Sequence, residues 1–415
     1  MFVHELFRHG ARASDSIPYT SPESVKEHLE EDAESEKQQT YFPNGLGMLT
    51  ASGIRQHYLL GTKVRKDYVE RHGLINGTYD VNEFYIQSTQ VPRTIQSAQS
   101  QLMGIFPLGS ATQLKENQVE DAIPQIEIED KEEIQKSLGL DAIIDRFQPI
   151  PVHNYEQQEE DDVLGYADCP LMIKDYMGRI ENPDFWKPFD KIYQDLYPLY
   201  AKIFGIPEDM ITFMVAFTLT DALYAERFEG VPDRYDWSDS EWQRLREMQP
   251  VMLLNSLSKE SGKAIASRYL NPIVEMMKKK TNSQFNETAT ARFGDSKMVL
   301  FSSHDLQLSH IINVLNATNY DIKHVDYASN LFIELHHSES KKCSEADSNA
   351  EECYSVSLTF NGVQLHLPGC KNSECSFGEF TLYMSEVLYD YETLQNVCHM
   401  TEEVKSSKEF LKMDA

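Results

Sequence analysis

Three short apolar runs, far apart in the chain, each break off into charged side chains. Phe2–Phe7 (FVHELF) delivers Arg8 and His9. Phe84–Ser88 (FYIQS) leads through Pro92 to Arg93, after which Ile95, Ala98, Leu102 and Ile105 recur at near-helical spacing. Pro92 also disfavours helix at Val91, so the turn ends there. Met298–Ser302 (MVLFS) delivers His304 and Asp305, and Leu308, Ile311, Ile312 and Leu315 then follow the i, i+3, i+4, i+7 rule of an amphipathic helix. That spacing predicts His304 and Asp305 in the first helical turn. Strands feeding helices predict an α/β fold, and such sheets bind ligands in the crevice at the carboxyl ends of their strands. Helix N-termini there attract anions, and arginine offers a planar fork that matches phosphate oxygens. The convergence predicts a phosphate pocket.

The chain has 415 residues, 41% of them apolar and 25% charged, which suits an ordinary globular protein with a large core. By length it predicts about two or three domains. Lys and Arg total 38 against 66 Asp and Glu, a formal charge of −28, so nucleic acid and anionic membrane surfaces are not natural general partners. Local pockets can still be cationic, because charges beyond about 8 Å are largely screened at physiological salt. From about Cys169 to Lys280 the chain is rich in aromatics, leucine and charge and reads as a helical insertion, with the acidic run Glu159–Asp162 as a solvated approach to it. Strands return at Leu331–Leu335 and Tyr354–Phe360, flanking a polar segment that holds Cys343 and Cys353. A disulfide across that hairpin is an expectation.

The six cysteines, Cys169, Cys343, Cys353, Cys370, Cys375 and Cys398, lack C-x-x-C spacing and fit three disulfides better than metal ligands. Candidate glycosylation acceptors at Asn76, Asn286 and Asn316 point the same way. The chain shows no signal peptide and no apolar stretch of about 18 residues that would span a bilayer. The expectation is a mature or trimmed lysosomal or secreted glycoprotein.

Taken in order, these segments resemble the histidine acid phosphatases, the long, often secreted branch of the histidine phosphatase superfamily. The R-H-G-x-R motif of that family matches Arg8-His9-Gly10-Ala11-Arg12, and its H-D pair matches His304-Asp305. Leu49-Thr50-Ala51-Ser52-Gly53-Ile54-Arg55-Gln56 resembles L-T-x-x-G-x-x-Q, and Ser88-Thr89-Gln90-Val91-Pro92-Arg93-Thr94 resembles S-T-x-x-x-R-T. Gln148–His153, Tyr327-Ala328-Ser329 and Leu367–Cys370 extend the likeness past the third strand. Gln87, Gln90, Pro92, Ser14 and Asn330 depart from the family pattern, which bears on pocket detail. The resemblance implies a mainly parallel, phosphoglycerate-mutase-like sheet flanked by helices, with residues 1–165 and 285–415 forming the catalytic domain and 166–284 a mostly helical cap. It also implies the pairs Cys169–Cys398 and Cys370–Cys375, which leaves Cys343 for Cys353.

The same resemblance assigns His9 as nucleophile of a phosphohistidine intermediate, Asp305 as proton donor, and Arg8, Arg12, Arg93 and His304 as phosphate binders. The chemistry agrees with it. An imidazole attacks only from a neutral nitrogen, and neighbouring arginines oppose its protonation. Guanidinium groups can neutralise the phosphoryl oxygens in the transition state, so no metal and no cofactor is implied. A carboxyl must be protonated to donate to a leaving alkoxide, which suits acidic pH. His57, His153, His336 and His337 read as structural or surface residues. The expected function is an acid phosphatase for small phosphomonoesters. The alternatives are a phytase, a mutase-like phosphotransferase of the same superfamily, or a silent secreted protein that binds phosphorylated ligands. A homodimer stays open.

Overall fold

The computed structural model describes residues 1–14, 42–155, 169–232, 235–338, 343 and 351–398, and the acidic run Glu159–Asp162 lies outside them. Strand β1 (Phe2–Arg8) is buried along its whole length because helices cover both faces of the sheet. Its side chains alternate. Phe2 and Leu6 join the core on one face, and Val3 and Phe7 join the core on the other. Helix α1 (Ala51–Val64) follows, capped by Thr50, whose side chain accepts from the Gly53 N–H. Next come β2 (Phe84–Ser88) and α2 (Pro92–Ile105), which starts on proline at its first position.

After the short α3 (Lys131–Leu138) the chain is helical for more than a hundred residues: α4 (Pro170–Ile180), α5 (Pro183–Tyr193), α6 (Tyr197–Phe204), α7 (Phe213–Phe228), α8 (Asp239–Asn255) and α9 (Lys259–Lys280). Trp186, Tyr200, Phe213, Leu245 and Met248 build an apolar core of their own among α5 to α8. Met172 of α4 and Tyr269, Ile273 and Met276 of α9 belong instead to the core against the sheet. The short α10 (Glu287–Thr290) precedes β3 (Met298–Ser303) and α11 (Asp305–Leu315). The described residues continue through β4 (Asn330–His337), β5 (Tyr354–Phe360), β6 (Val363–Gln364), β7 (Cys375–Ser376), α12 (Phe377–Val387) and α13 (Tyr391–Cys398).

The strand order is β2-β3-β1-β4-β5-β6, with β7 beside β5. β2, β3 and β1 pair in parallel, β4 runs against β1, and β5 runs against β4, so four of the five longer strands share one direction. Arg8 lies level with Ser303, and Ser88 with Ser302. That common register brings the carboxyl ends of three parallel strands to one edge, where the predicted site residues gather. Disulfides join Cys169 to Cys398, Cys343 to Cys353 and Cys370 to Cys375, the pairs the resemblance implies.

Candidate active site

His9 follows β1 directly, and its backbone is fixed on both sides: its N–H donates to the Ser303 carbonyl and its carbonyl accepts from Ala328, each at 3.0 Å. Ala328 makes that contact from the left-handed region, φ 59°, which a non-glycine residue enters at a cost. The turn that follows is held by neighbours. Gly10 N–H donates to Ser97 Oγ at 3.0 Å, and Ala11 N–H donates to Gln56 Oε1 at 2.8 Å. Gly53 lets α1 close on this turn, since a Cβ there would lie 2.2 Å from the Ala11 carbonyl oxygen. The Gly and Gln of the L-T-x-x-G-x-x-Q segment are therefore supports of the turn.

The His9 ring has a defined proton. Nδ1 lies 2.8 Å from the Gly10 carbonyl, and a carbonyl only accepts, so Nδ1 carries the hydrogen and the lone pair sits on Nε2. The ring stays neutral as well: burial first, then the charges of Arg8, Arg93, His304 and Arg12, hold it well below the ordinary imidazole range. His304 is held down in the same way, by burial and then by Arg93, Arg8 and Arg12. Its ring centroid is 5.5 Å from that of His9, and its Nε2 is 3.1 Å from Thr89 Oγ1. His304 stands at the cap position just before α11 rather than within its first turn, while Asp305 is the first helical residue. Strand β3 runs one residue further than the apolar run suggests, because Ser303 still pairs with Arg8.

Arg8 is almost fully buried, and its side chain has three partners among the described residues. Its Nη2 lies 2.8 Å from Asp305 Oδ2, its Nη1 donates to the Val325 carbonyl, and its guanidinium stacks 4.6 Å over the Tyr327 ring. Arg12 pairs with Asp221 of α7 at 2.8 Å. Asp305 accepts from Leu306 N–H at Oδ1 and from Gln249 of α8 at Oδ2. The structure thus brings Arg8, His9, Arg12, Arg93, His304 and Asp305 to one place. Of the departures from the family pattern, Gln87 is buried and accepts from the Tyr85 hydroxyl, Gln90 is exposed, and Pro92 starts α2.

Sequence reading missed Asp221, Gln249 and the π-stack of Tyr327 on Tyr224, whose centroids are 5.1 Å apart. Tyr327 lay in a segment already marked by resemblance, but Asp221 and Gln249 sit in helices without a motif, where no local signal announces them. The remaining histidines lie elsewhere: His57 is buried and bonds to Gln101, His153 stacks on Tyr85, and His336 bonds to Ser357. Asn76 and Asn316 are exposed, whereas Asn286 caps α10. Among the described residues no His, Cys, Asp or Glu cluster is grouped to hold a metal ion, and no helix is long and apolar enough to cross a membrane.

Comparison with known proteins adds the lineage of this arrangement. The chain is 26% identical to prostatic acid phosphatase of Mus musculus over 395 residues, covering 93% of this chain and 86% of that one. It is 25% identical to lysosomal acid phosphatase of Rattus norvegicus over 395 residues, covering 91% and 76%. Its fold matches that of the apo form of Hafnia alvei phytase with a TM-score of 0.59 at 14% identity, covering 94% of this chain and 96% of that one. Residues 1–361 match the model of the histidine phosphatase superfamily (branch 2), and the protein that carries this buried, arginine-ringed His9 belongs to that family.

Proposed function

We propose that the chain is an acid phosphatase that hydrolyses small phosphate monoesters through a phosphohistidine on His9. The observation that carries the reading is the His9 ring itself, with its proton committed to the Gly10 carbonyl and its Nε2 lone pair set among Arg8, Arg12 and Arg93. Nε2 attacks phosphorus, the ester P–O bond breaks, and the leaving oxygen takes a proton from Asp305. Water then attacks phosphorus and gives a proton to the Asp305 carboxylate, the P–N bond breaks with its electron pair returning to Nε2, and inorganic phosphate and free His9 are released. Arg8, Arg12, Arg93 and His304 hold the phosphoryl oxygens as charge redistributes.

Several features support the narrower terms. The relatives are named acid phosphatases, one of them lysosomal, and three disulfides suit an oxidising compartment, so a lysosomal or secreted site follows. Partly exposed carboxylates, Asp221 against Arg12 and Asp326 against Arg246, stand beside the ring of cations, which suits a single phosphate better than a polyphosphate. Within the helical stretch, α5 to α8, which share an apolar core apart from the sheet, serve as the cap over the entrance, with α7 supplying Asp221.

The test is phosphate release from nitrophenyl phosphate near pH 5 in excess chelator, with His9→Ala alongside. Turnover that survives the chelator and vanishes in H9A is expected. Loss with chelator defeats the metal-free chemistry, and no turnover in the parent defeats the enzyme. Asp305→Ala is expected to lose about 10²–10⁴-fold on an alkyl phosphate and far less on nitrophenyl phosphate, whose leaving group needs no proton. Equal losses on both overturn the donor assignment.

A further inference from the structure

Gln249 projects from α8 toward the proton donor, and its amide orientation is fixed by its partners. The Val325 N–H donates to Gln249 Oε1 at 3.2 Å, and a main-chain N–H can only donate, so the acceptor end must be the oxygen. The amide nitrogen then faces Asp305 Oδ2 at 3.1 Å, and a carboxylate oxygen accepts there. Arg8 Nη2 reaches the same Oδ2 at 2.8 Å while its Nη1 donates to the Val325 carbonyl. Arg8, Asp305, Gln249 and Val325 thus close a ring of hydrogen bonds.

The two oxygens of Asp305 are not equivalent in this ring. Oδ2 receives two donors, from Arg8 and Gln249, which fill both of its lone pairs. Among the described residues Oδ1 receives the Leu306 N–H alone, at 2.9 Å, and so keeps one lone pair for a proton. We propose that Gln249 is a positioning residue that, with Arg8, occupies Oδ2 and so assigns Oδ1 as the oxygen that hands its proton to the leaving group. When the ester P–O bond breaks and its electron pair goes to the leaving oxygen, the Oδ1–H bond breaks and the proton moves to that oxygen. Asp305 is left as a carboxylate whose oxygens already face the three donors, so the charge that develops meets dipoles set in advance. The proposal rests on Asp305 acting as the donor.

The experiment compares kcat/KM on glycerol 2-phosphate and on nitrophenyl phosphate for the parent, Gln249→Met, Gln249→Glu and Asp305→Ala. This ratio reports the steps through departure of the leaving group. Q249M removes the donor to Oδ2 and is expected to lose about 10-fold or more on the alkyl ester and less than about 3-fold on the aryl ester, part of the range of a full general acid. Q249E keeps the shape and the Val325 contact, which guards against a variant that fails to fold. Its new carboxyl shares a proton with Asp305 across the facing oxygens, drawing it away from Oδ1, so the same selective loss is expected. Equal losses on the two esters, or no loss on either, in both Gln249 variants overturn the proposal when D305A still discriminates between them. Equal losses in D305A overturn the donor reading beneath it instead.

Discussion

Glu5 lies in β1 four residues before His9, is fully buried, and accepts from Gln101, whose side-chain oxygen faces Nδ1 of the buried His57. Burial pushes the Glu5 carboxyl up to about 8, against the opposing hydrogen bond of Gln101 and the charge of Lys63. The folded chain therefore keeps a proton on Glu5 that the unfolded chain releases near its ordinary value of 4.5. Its contribution to stability is complete below that value and is lost as pH rises through about 8. His57, pushed down to about 4 by burial, works with the opposite sign and loses its contribution as pH falls. Glu5→Gln fits the same space and cannot titrate, so its melting temperature is expected to fall less between about pH 5 and pH 8 than that of the parent. Parallel profiles would refute this. None of it was legible in the run FVHELF, where Glu5 looks like one polar residue in a strand; only packing from α1 and α2 removes its water.

At the scale of elements, the three strands and the helix after Asp305 were readable because their apolar patterns are local. Phe84–Ser88 and Tyr354–Phe360 coincide with the strands observed, and β1, β3 and β4 extend slightly beyond their apolar runs. The contact between α1 and the His9 turn was not readable, because it depends on how near two backbones come. A Cβ on Gly53 would meet the Ala11 oxygen at 2.2 Å and one on Gly10 would meet the Gly53 oxygen at 2.6 Å. Main-chain atoms cannot yield as a flexible side chain can. Gly53→Ala is expected to destabilise the fold by about 1–3 kcal/mol. It is also expected to lower activity by shifting the turn that carries His9 and Arg12. Thermal unfolding with phosphate release on the same preparation checks both, and an unchanged variant would show that α1 moves freely.

For the whole molecule, the helical stretch divides between two cores, with α5 to α8 packed around Trp186 and Phe213 while α4 and α9 pack against the sheet. Cys169–Cys398 fastens the start of α4 to the end of α13 across 229 residues. Closing so long a loop removes unfolded-chain entropy worth up to about 5 kcal/mol. Replacing both cysteines by serine is expected to lower the melting temperature more than removing Cys370–Cys375, whose loop spans 5 residues. The reverse order, seen in parallel melts, would mean that native contacts outweigh loop length.

The sequence by itself determined which residues gather at the candidate site. Arg8, His9, Arg12, Arg93, His304 and Asp305 lie where strands end, and strand ends are written in short-range apolar patterns. The tertiary structure alone decided what each of them does to its neighbours. The two donors on Asp305 Oδ2 and the Asp221 partner of Arg12 arise from groups far apart in the chain. Hydrogen bonds and charges act over a few ångströms of space, and separation along the chain carries no record of that distance.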